Sequence, residues 1–441
     1  MYALISFIVL LTSYFFFRKV SGSMNLKKLN MVSWVFWYSL LLQTFIASIL
    51  VVYSIDQHYS VEKIYFESSR LKGWLAVQYC MVVLPLSMYV CMILTNRRLN
   101  NKKVLEVFLQ RKLTPCLTEK DKVIRGILYL FSLICCGAVL YSFISVGSYP
   151  FKMFIQGTDN FALYRQEVTR GFSGNIYIKN VLALTLTPIL SYIFYTYYRL
   201  FREKIDLFFF ILTFFSALSI ISFDYSKSPI AFYLIGFIFL KVSIGDSINY
   251  RKFISYFFLI IGLIVAYYLG TGYKEGVSTL FSSYNSGILG RILLSQASGL
   301  YLSFDYYPVV YDHIGFSSLS NIFGEGRERM ARELMMGVNP GGILAGEAGV
   351  INTLFLAEAW ANFGVLGVLF GVVWVGFFIQ ILYQFFINNS KNPIKIGIYA
   401  YLCYKLPITG GFNDFIYNPS LFLIAFIFVF IYFVSKNMVR S

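Results

Sequence analysis

The sequence is short of charge, histidine and cysteine, and each shortage removes a class of protein. Charged residues make up 13% of the 441 positions and hydrophobic residues 58%, whereas an average soluble domain carries about 25% charged residues. A water-soluble enzyme is excluded. Two histidines, His58 and His313, are too few for a histidine-ligated metal site and argue against a Ser-His-Asp triad. The six cysteines, Cys80, Cys91, Cys116, Cys135, Cys136 and Cys403, lie mostly in apolar runs without C-x-x-C spacing, and read as small apolar fillers. The chain has no G-x-x-x-x-G-K-[ST] run, which removes ATP hydrolysis by a P-loop, and no DNA- or RNA-binding motif. Nothing in the sequence calls for a metal or another cofactor.

What is abundant is apolar and aromatic, with 46 Phe and 35 Tyr. A span needs roughly 20 apolar residues. Eleven candidates, in a range of ten to twelve, run at 1–17, 31–54, 73–95, 126–148, 177–198, 207–223, 228–244, 253–270, 361–387, 396–411 and 420–435. The opening MYALISFIVLL lacks a basic n-region and a cleavage signal, so it reads as a retained span.

Basic residues set the orientation. The loops 18–30, 96–125, 199–206, 241–252 and 388–395 and the tail 436–441 hold 23 of the 37 Lys and Arg in 77 residues. The alternate loops 55–72, 149–178, 224–227, 271–352 and 412–419 hold 12 in 142. The positive-inside rule then puts the N-terminus outside and the C-terminus in the cytoplasm. Acids divide six inside against fourteen outside, giving +17 and −2. The overall charge of +16 is thus a topology signal and an attraction to anionic headgroups. The expected fold is an all-α, polytopic membrane protein, one domain over 1–441. Two large extracytoplasmic loops, 149–178 and 271–352, contain short amphipathic helices. Loops of that length in a compact protein are usually functional.

Four outer stretches could carry chemistry. In "LYRQEVTRG" Arg165 and Arg170 flank Glu167, either a solvated ion-pair cluster or an anion site built on planar guanidinium forks. In "SFDYSKSPI" Lys227 lies at the start of a helix that Ser226 or Ser228 would cap and Pro229 would suit; it either pairs with Asp224 or binds phosphate. "GEGRERMARELMMG" spaces Glu325 with Arg329, Glu328 with Arg332 and Arg329 with Glu333 at i,i+4 and gathers Met330, Leu334 and Met335 on the other side of a short amphipathic helix, with Arg327 in its first turn. That helix is expected on the membrane surface, its arginines either neutralised by Glu325, Glu328 and Glu333 or ringing a cavity mouth. "NPGGILAGEAGVINTLFLAEAWANFGVLGVLFG" places Glu347 and Glu358 at the start of a span, where a carboxylate is costly unless it faces a partner or a polar cavity. Arg291, Lys274, Lys179 and Lys405 complete the basic inventory, with Asp414 and Glu358 as candidate partners of Lys405. Tyr306, Tyr307 and Trp360 suit sugar stacking or interface anchoring.

Together these stretches resemble a family. "EAGVINTLFLAEAWANFGVLGVLFGVVW" is similar to the late signature of Wzy-type O-antigen and oligosaccharide repeat-unit polymerases, "SFDYSKSPI" to their basic turn, and "LYRQEVTRG" to their arginine-bearing outer loop. The resemblance implies a glycosyltransferase of the bacterial inner membrane, working on the outer face. It would move a growing glycan from undecaprenyl diphosphate to the non-reducing end of a fresh lipid-linked repeat unit. Arg165, Arg170 and Lys227 match the family positions, as does the stretch Glu347 to Gly367. The expected partners are undecaprenyl-diphosphate-linked oligosaccharides, the bilayer, a Wzz-type chain-length regulator and a flippase, with no nucleic acid. The outer face lacks a D-x-D cluster and has many cations, so the expected catalysis is metal-independent. Arg165, Arg170, Lys227, Arg291, Arg327, Arg329 and Arg332 would bind diphosphates, and Glu347 or Glu358 would activate the acceptor hydroxyl. The rivals are a flippase, which should show even loops, repeats and midplane charges, and an O-antigen ligase. Ligases of that kind carry a histidine in the late outer loop. His313 is the one candidate, and it lies outside the late signature.

Overall fold

The computed structural model describes residues 1–56, 58–96, 101–116, 121–146, 171–223, 227–246, 255, 262, 290, 293–319, 330–344, 349–351 and 353–437. Every regular element among the described residues is helical. Among the described residues, seven helices are long and apolar enough to cross a membrane: Tyr2–Lys28, Met31–Val52, Glu67–Thr95, Asp121–Val146, Ile178–Phe201, Lys204–Ile221 and Phe355–Asn388. Each overlaps an expected span. Ser228–Ile244 and Leu421–Ile431 are apolar but shorter, and the expected span 253–270 lies outside the described residues apart from 255 and 262. The expected span 396–411 is interrupted. Its helix, Pro393–Lys405, stops after 13 residues, and 3-10 turns follow at Pro407–Thr409 and Phe412–Phe415. Pro407 has no N–H to extend the helical ladder.

The chain divides into two compact units. The first comprises Met1–Leu105, Lys274–Phe385 and Leu406–Asn418. Within it the Glu67–Asn96 and Phe355–Asn388 helices run parallel: the Tyr79 hydroxyl donates to Leu369 O at 3.1 Å, the Cys91 thiol to Phe377 O at 3.9 Å and the Thr95 hydroxyl to Gln384 Oε1 at 2.5 Å. Gly376 makes that approach possible, since a Cβ there would collide with Ser87 Oγ. The Tyr383 hydroxyl donates to Ser21 O at 2.6 Å, tying in the first helix.

Part of the long loop 271–352 belongs to the core of this unit. Ser298–Tyr306 is helical and buried from Ser298 to Asp305. The Asp305 carboxylate accepts the N–H groups of Tyr65 and Phe66 at 2.9 and 2.8 Å and the Ser69 hydroxyl at 3.0 Å, satisfying free donors at the start of the Glu67–Asn96 helix. Met330–Val338 forms the expected amphipathic helix, burying Met330, Leu334, Met335 and Val338 and exposing Arg332. It packs on Ser298–Tyr306. Protein, and not the bilayer surface as expected, therefore covers its apolar face.

The second unit comprises Glu106–Tyr273, Phe386–Lys405 and Pro419–Ser441. Ile178–Phe201 is its hub, packed on Lys204–Ile221 and Pro393–Lys405. Tyr192, Tyr197 and Tyr233 are fully buried, and each hydroxyl is partnered, as a phenol out of water must be. Tyr192 donates to Tyr233 O at 2.6 Å, Tyr233 meets Ser191 Oγ at 2.7 Å and Tyr197 meets Cys116 Sγ at 3.4 Å.

Two stretches, Val35–Phe45 in the first unit and Ile178–Leu186 in the second, are wound as π-helix. Threonine hydroxyls follow the wider turn and donate five residues back: Thr44 to Ser39 O, Thr185 to Asn180 O and Thr187 to Leu182 O, at 3.0, 2.7 and 3.0 Å. In lipid every main-chain carbonyl must be satisfied from within the protein, and these hydroxyls help to do so.

Among the described residues of the second unit, charge is buried at two places. Arg125, which the sequence reading leaves at the end of a basic loop, forks onto Glu203 at 2.7 and 3.1 Å and reaches Asp206 at 3.2 Å and Asp121 at 3.5 Å. Its guanidinium lies 4.4 Å from the centre of the Phe201 ring, and the Tyr129 hydroxyl donates to Asp206 at 2.6 Å. The bond from Arg125 holds the Glu203 carboxyl below the usual carboxylate range. Lys391, in the connection before Pro393, is fully buried, and its Nζ donates to Leu109 O at 3.2 Å and Arg111 O at 3.0 Å. Burial pushes this ammonium down from 10.5 to about 8.

Candidate functional site

The late signature folds as a broken helix. Phe355–Asn388 leaves helical geometry at Phe363 (φ −134°, ψ 15°) and Gly364 (φ 58°, ψ −139°). A side chain at residue 364 would be strained by that positive φ and would press on His313 Nε2 at 3.1 Å. The break aims the piece carrying Glu358 and Asn362 away from the line of the long helix, and two other segments of the first unit meet it there.

One is the turn after the interrupted span. Glu358, buried at 9% exposure, accepts the Asn413 N–H on Oε2 at 2.9 Å and Asn413 Nδ2 on Oε1 at 3.2 Å. A Cβ on Gly411 would collide with this carboxylate. The other is the 3-10 turn Gly315–Leu319. Asn413 Nδ2 also donates to Ser318 O at 3.3 Å, while its Oδ1 accepts from Asn362 Nδ2 at 3.1 Å and Ser318 Oγ at 3.4 Å. A single asparagine thus joins three segments through its amide. Asn362 Oδ1 is buried and has no hydrogen-bond partner among the described residues, leaving an acceptor where a hydroxyl could donate.

The same break receives His313. Its Nδ1 lies 3.2 Å from Ala361 O, and because a carbonyl only accepts, Nδ1 carries a proton in this contact. The Ile314 N–H donates to the same carbonyl at 2.9 Å. The Trp360 indole N–H donates to Tyr307 O at 3.2 Å, with Phe304 against its ring at 4.6 Å and His313 edge-on at 5.8 Å. The Tyr307 hydroxyl bonds Glu333 Oε2. Tyr307 is fully buried and is a structural tyrosine, whereas Tyr306 and Tyr311, stacked at 6.0 Å, are partly exposed.

Of the residues singled out from sequence, Arg165, Arg170, Arg291, Arg327, Arg329 and Glu347 lie outside the described residues. Lys227 opens the helix Lys227–Ile244 with Pro229 in its first turn, while Ser226, a candidate cap, lies outside the described residues. Arg332 is exposed on its helix and Glu358 is buried in the network above. Lys405 is the exposed last residue of Pro393–Lys405. Sequence reasoning passed over Asn413, Asn362 and Ser318. The available signal was polar side chains inside apolar stretches, in "WANFG" and "GGFND". It also separated His313 from the signature that the chain folds it against. No family model, curated protein or solved structure matches this chain.

Proposed function

We propose that this chain is a bacterial inner-membrane glycosyltransferase that polymerises lipid-linked oligosaccharide repeat units. A hydroxyl of the incoming unit attacks the anomeric carbon of the growing glycan. The bond from that carbon to the diphosphate oxygen breaks, the base takes the hydroxyl proton, and undecaprenyl diphosphate leaves against fixed cations. Arg165, Arg170, Lys227, Arg291, Arg327, Arg329 and Arg332 are the cations of this reading, and no metal is required. Glu358, with both oxygens held by Asn413, positions the turn 411–415, and Glu347 is the general base.

The observation that carries the reading is the meeting of three distant segments, 313–319, 355–364 and 411–415, at a helix break inside the stretch that resembles the polymerase signature. Deleting the gene and separating surface polysaccharide on a gel tests it. A ladder reduced to one repeat unit supports polymerisation. Loss of every unit would sink it in favour of a flippase. Arg165→Ala, Arg170→Ala and Arg329→Ala are expected to abolish polymer at unchanged protein level, and polymerisation is expected to survive EDTA. Wild-type ladders from all three variants would remove the phosphate assignment.

One observation favours a second reading. His313 packs against Ala361 and Gly364, so the histidine expected of an O-antigen ligase is at the signature after all. Under that reading the deletion strain keeps long polymer, unattached, and His313→Ala reproduces that phenotype.

A further inference from the structure

The helices Asp121–Val146 and Lys204–Ile221 of the second unit run side by side in parallel, with Arg125 level with Asp206, Cys136 with Ser216 at 3.4 Å and Phe143 with Phe223. Between them, on a face crowded with exposed Leu140, Phe208 and Phe215, lies a groove of about 600 Å³ lined by apolar side chains and by Ser216 and Ser219. From Phe208 to Ser219 it runs about 16 Å along the helix at 1.5 Å per residue. That is close to one leaflet, half of the roughly 30 Å hydrocarbon core.

Its two ends differ in charge. Below Phe208 lies the knot of Arg125 with Asp121, Glu203 and Asp206, three carboxylates against Arg125 and, beside Glu203, Lys122. At the other end Phe143 touches Phe223, and Phe223 and Phe172 cup the Lys179 ammonium at 5.3 and 4.0 Å from their ring centres. Such a groove accepts a hydrocarbon chain in one direction, with a negative head at Lys179 and the methyl end toward the acidic knot. We propose that it is a binding site for an anionic glycerophospholipid, one acyl chain between these helices and the phosphate beside Lys179. A polyprenyl carrier, several times longer than the groove, would leave most of its chain outside. The site uses none of the residues named in the glycosyl-transfer reading.

The test uses the full chain in nanodiscs of phosphatidylglycerol and phosphatidylcholine in equal parts, with trace spin-labelled lipid of either kind. The expected result is an immobilised component favouring phosphatidylglycerol, with the preference falling about fivefold in Lys179→Gln, the scale of one basic residue at a membrane surface. Leu212→Trp, which fills the groove, should remove the immobilised component for both lipids. Phe215→Ala, at a position 61% exposed and therefore safe for folding, should weaken it. Equal immobilisation of both lipids by the wild type would overturn the proposal, as would retention unchanged in Leu212→Trp and Phe215→Ala. Displacement of the labelled lipid by polyprenyl phosphate in preference to phosphatidylglycerol would also overturn it.

Discussion

Removing the Glu358 carboxylate should unfasten the turn 411–415, and the cost follows from the donors left behind. Glu358→Ala strands the Asn413 N–H and one direction of Asn413 Nδ2, which now bond Oε2 and Oε1 at 2.9 and 3.2 Å. A buried donor without an acceptor costs about 1–3 kcal/mol, so two cost about 4 kcal/mol at the centre of the range. At about 2–4 °C per kcal/mol for a unit of this size, the thermal midpoint in detergent should fall by about 8–16 °C. Asn413→Ala keeps the N–H on Glu358 but surrenders the bonds to Ser318 and Asn362. Because both changes break the same link, the double variant should lose about 1–3 kcal/mol less than the sum of the singles. Chemical denaturation of the four proteins, followed by intrinsic fluorescence, measures this cycle. Additivity within about 0.5 kcal/mol would refute the network as drawn.

Raising the pH should stabilise the second unit, because the folded Lys391 releases its proton at about 8 and the unfolded one only near 10.5. Between those values the unfolded chain binds more protons, so stability climbs by about 3 kcal/mol across the window, and Lys391→Met should flatten the climb. Arg125→Ala leaves Asp121, Glu203 and Asp206 without their shared cation, which should cost about 3–5 kcal/mol and show as lost monodisperse protein in size exclusion. Gly367→Ala should destroy folded yield, since its Cβ would collide with Ala359 O, whereas Gly137→Ala, with nothing within 4 Å of the new methyl, should leave the midpoint unchanged or raise it slightly.

Spans were the most legible feature, because twenty apolar residues have few alternatives to crossing a bilayer. The reading failed where local chemistry interrupts an apolar run, as at Pro407, which hydropathy averages away between Leu406 and Ile408. The buried face of Met330–Val338 was legible from its spacing; what covers it was not, since a helix in a bilayer headgroup layer and one against Ser298–Tyr306 need the same pattern. Arg125 and Asp206 were counted by which side of the membrane they occupied. Their ion pair depends on the register between two helices, which no single stretch encodes. For the candidate site, Glu358 stood out as an isolated acid, while Asn413 looked like an ordinary turn residue until three segments converged on it.

The stitching at the helix break runs through main-chain oxygens. His313 and Ile314 both bond the carbonyl of Ala361, and Trp360 bonds that of Tyr307. A carbonyl is present whatever side chain its residue bears, so positions 361 and 307 can change identity without losing their acceptors. The docking of the 307–314 segment is written in backbone geometry, where a comparison of letters has little to detect.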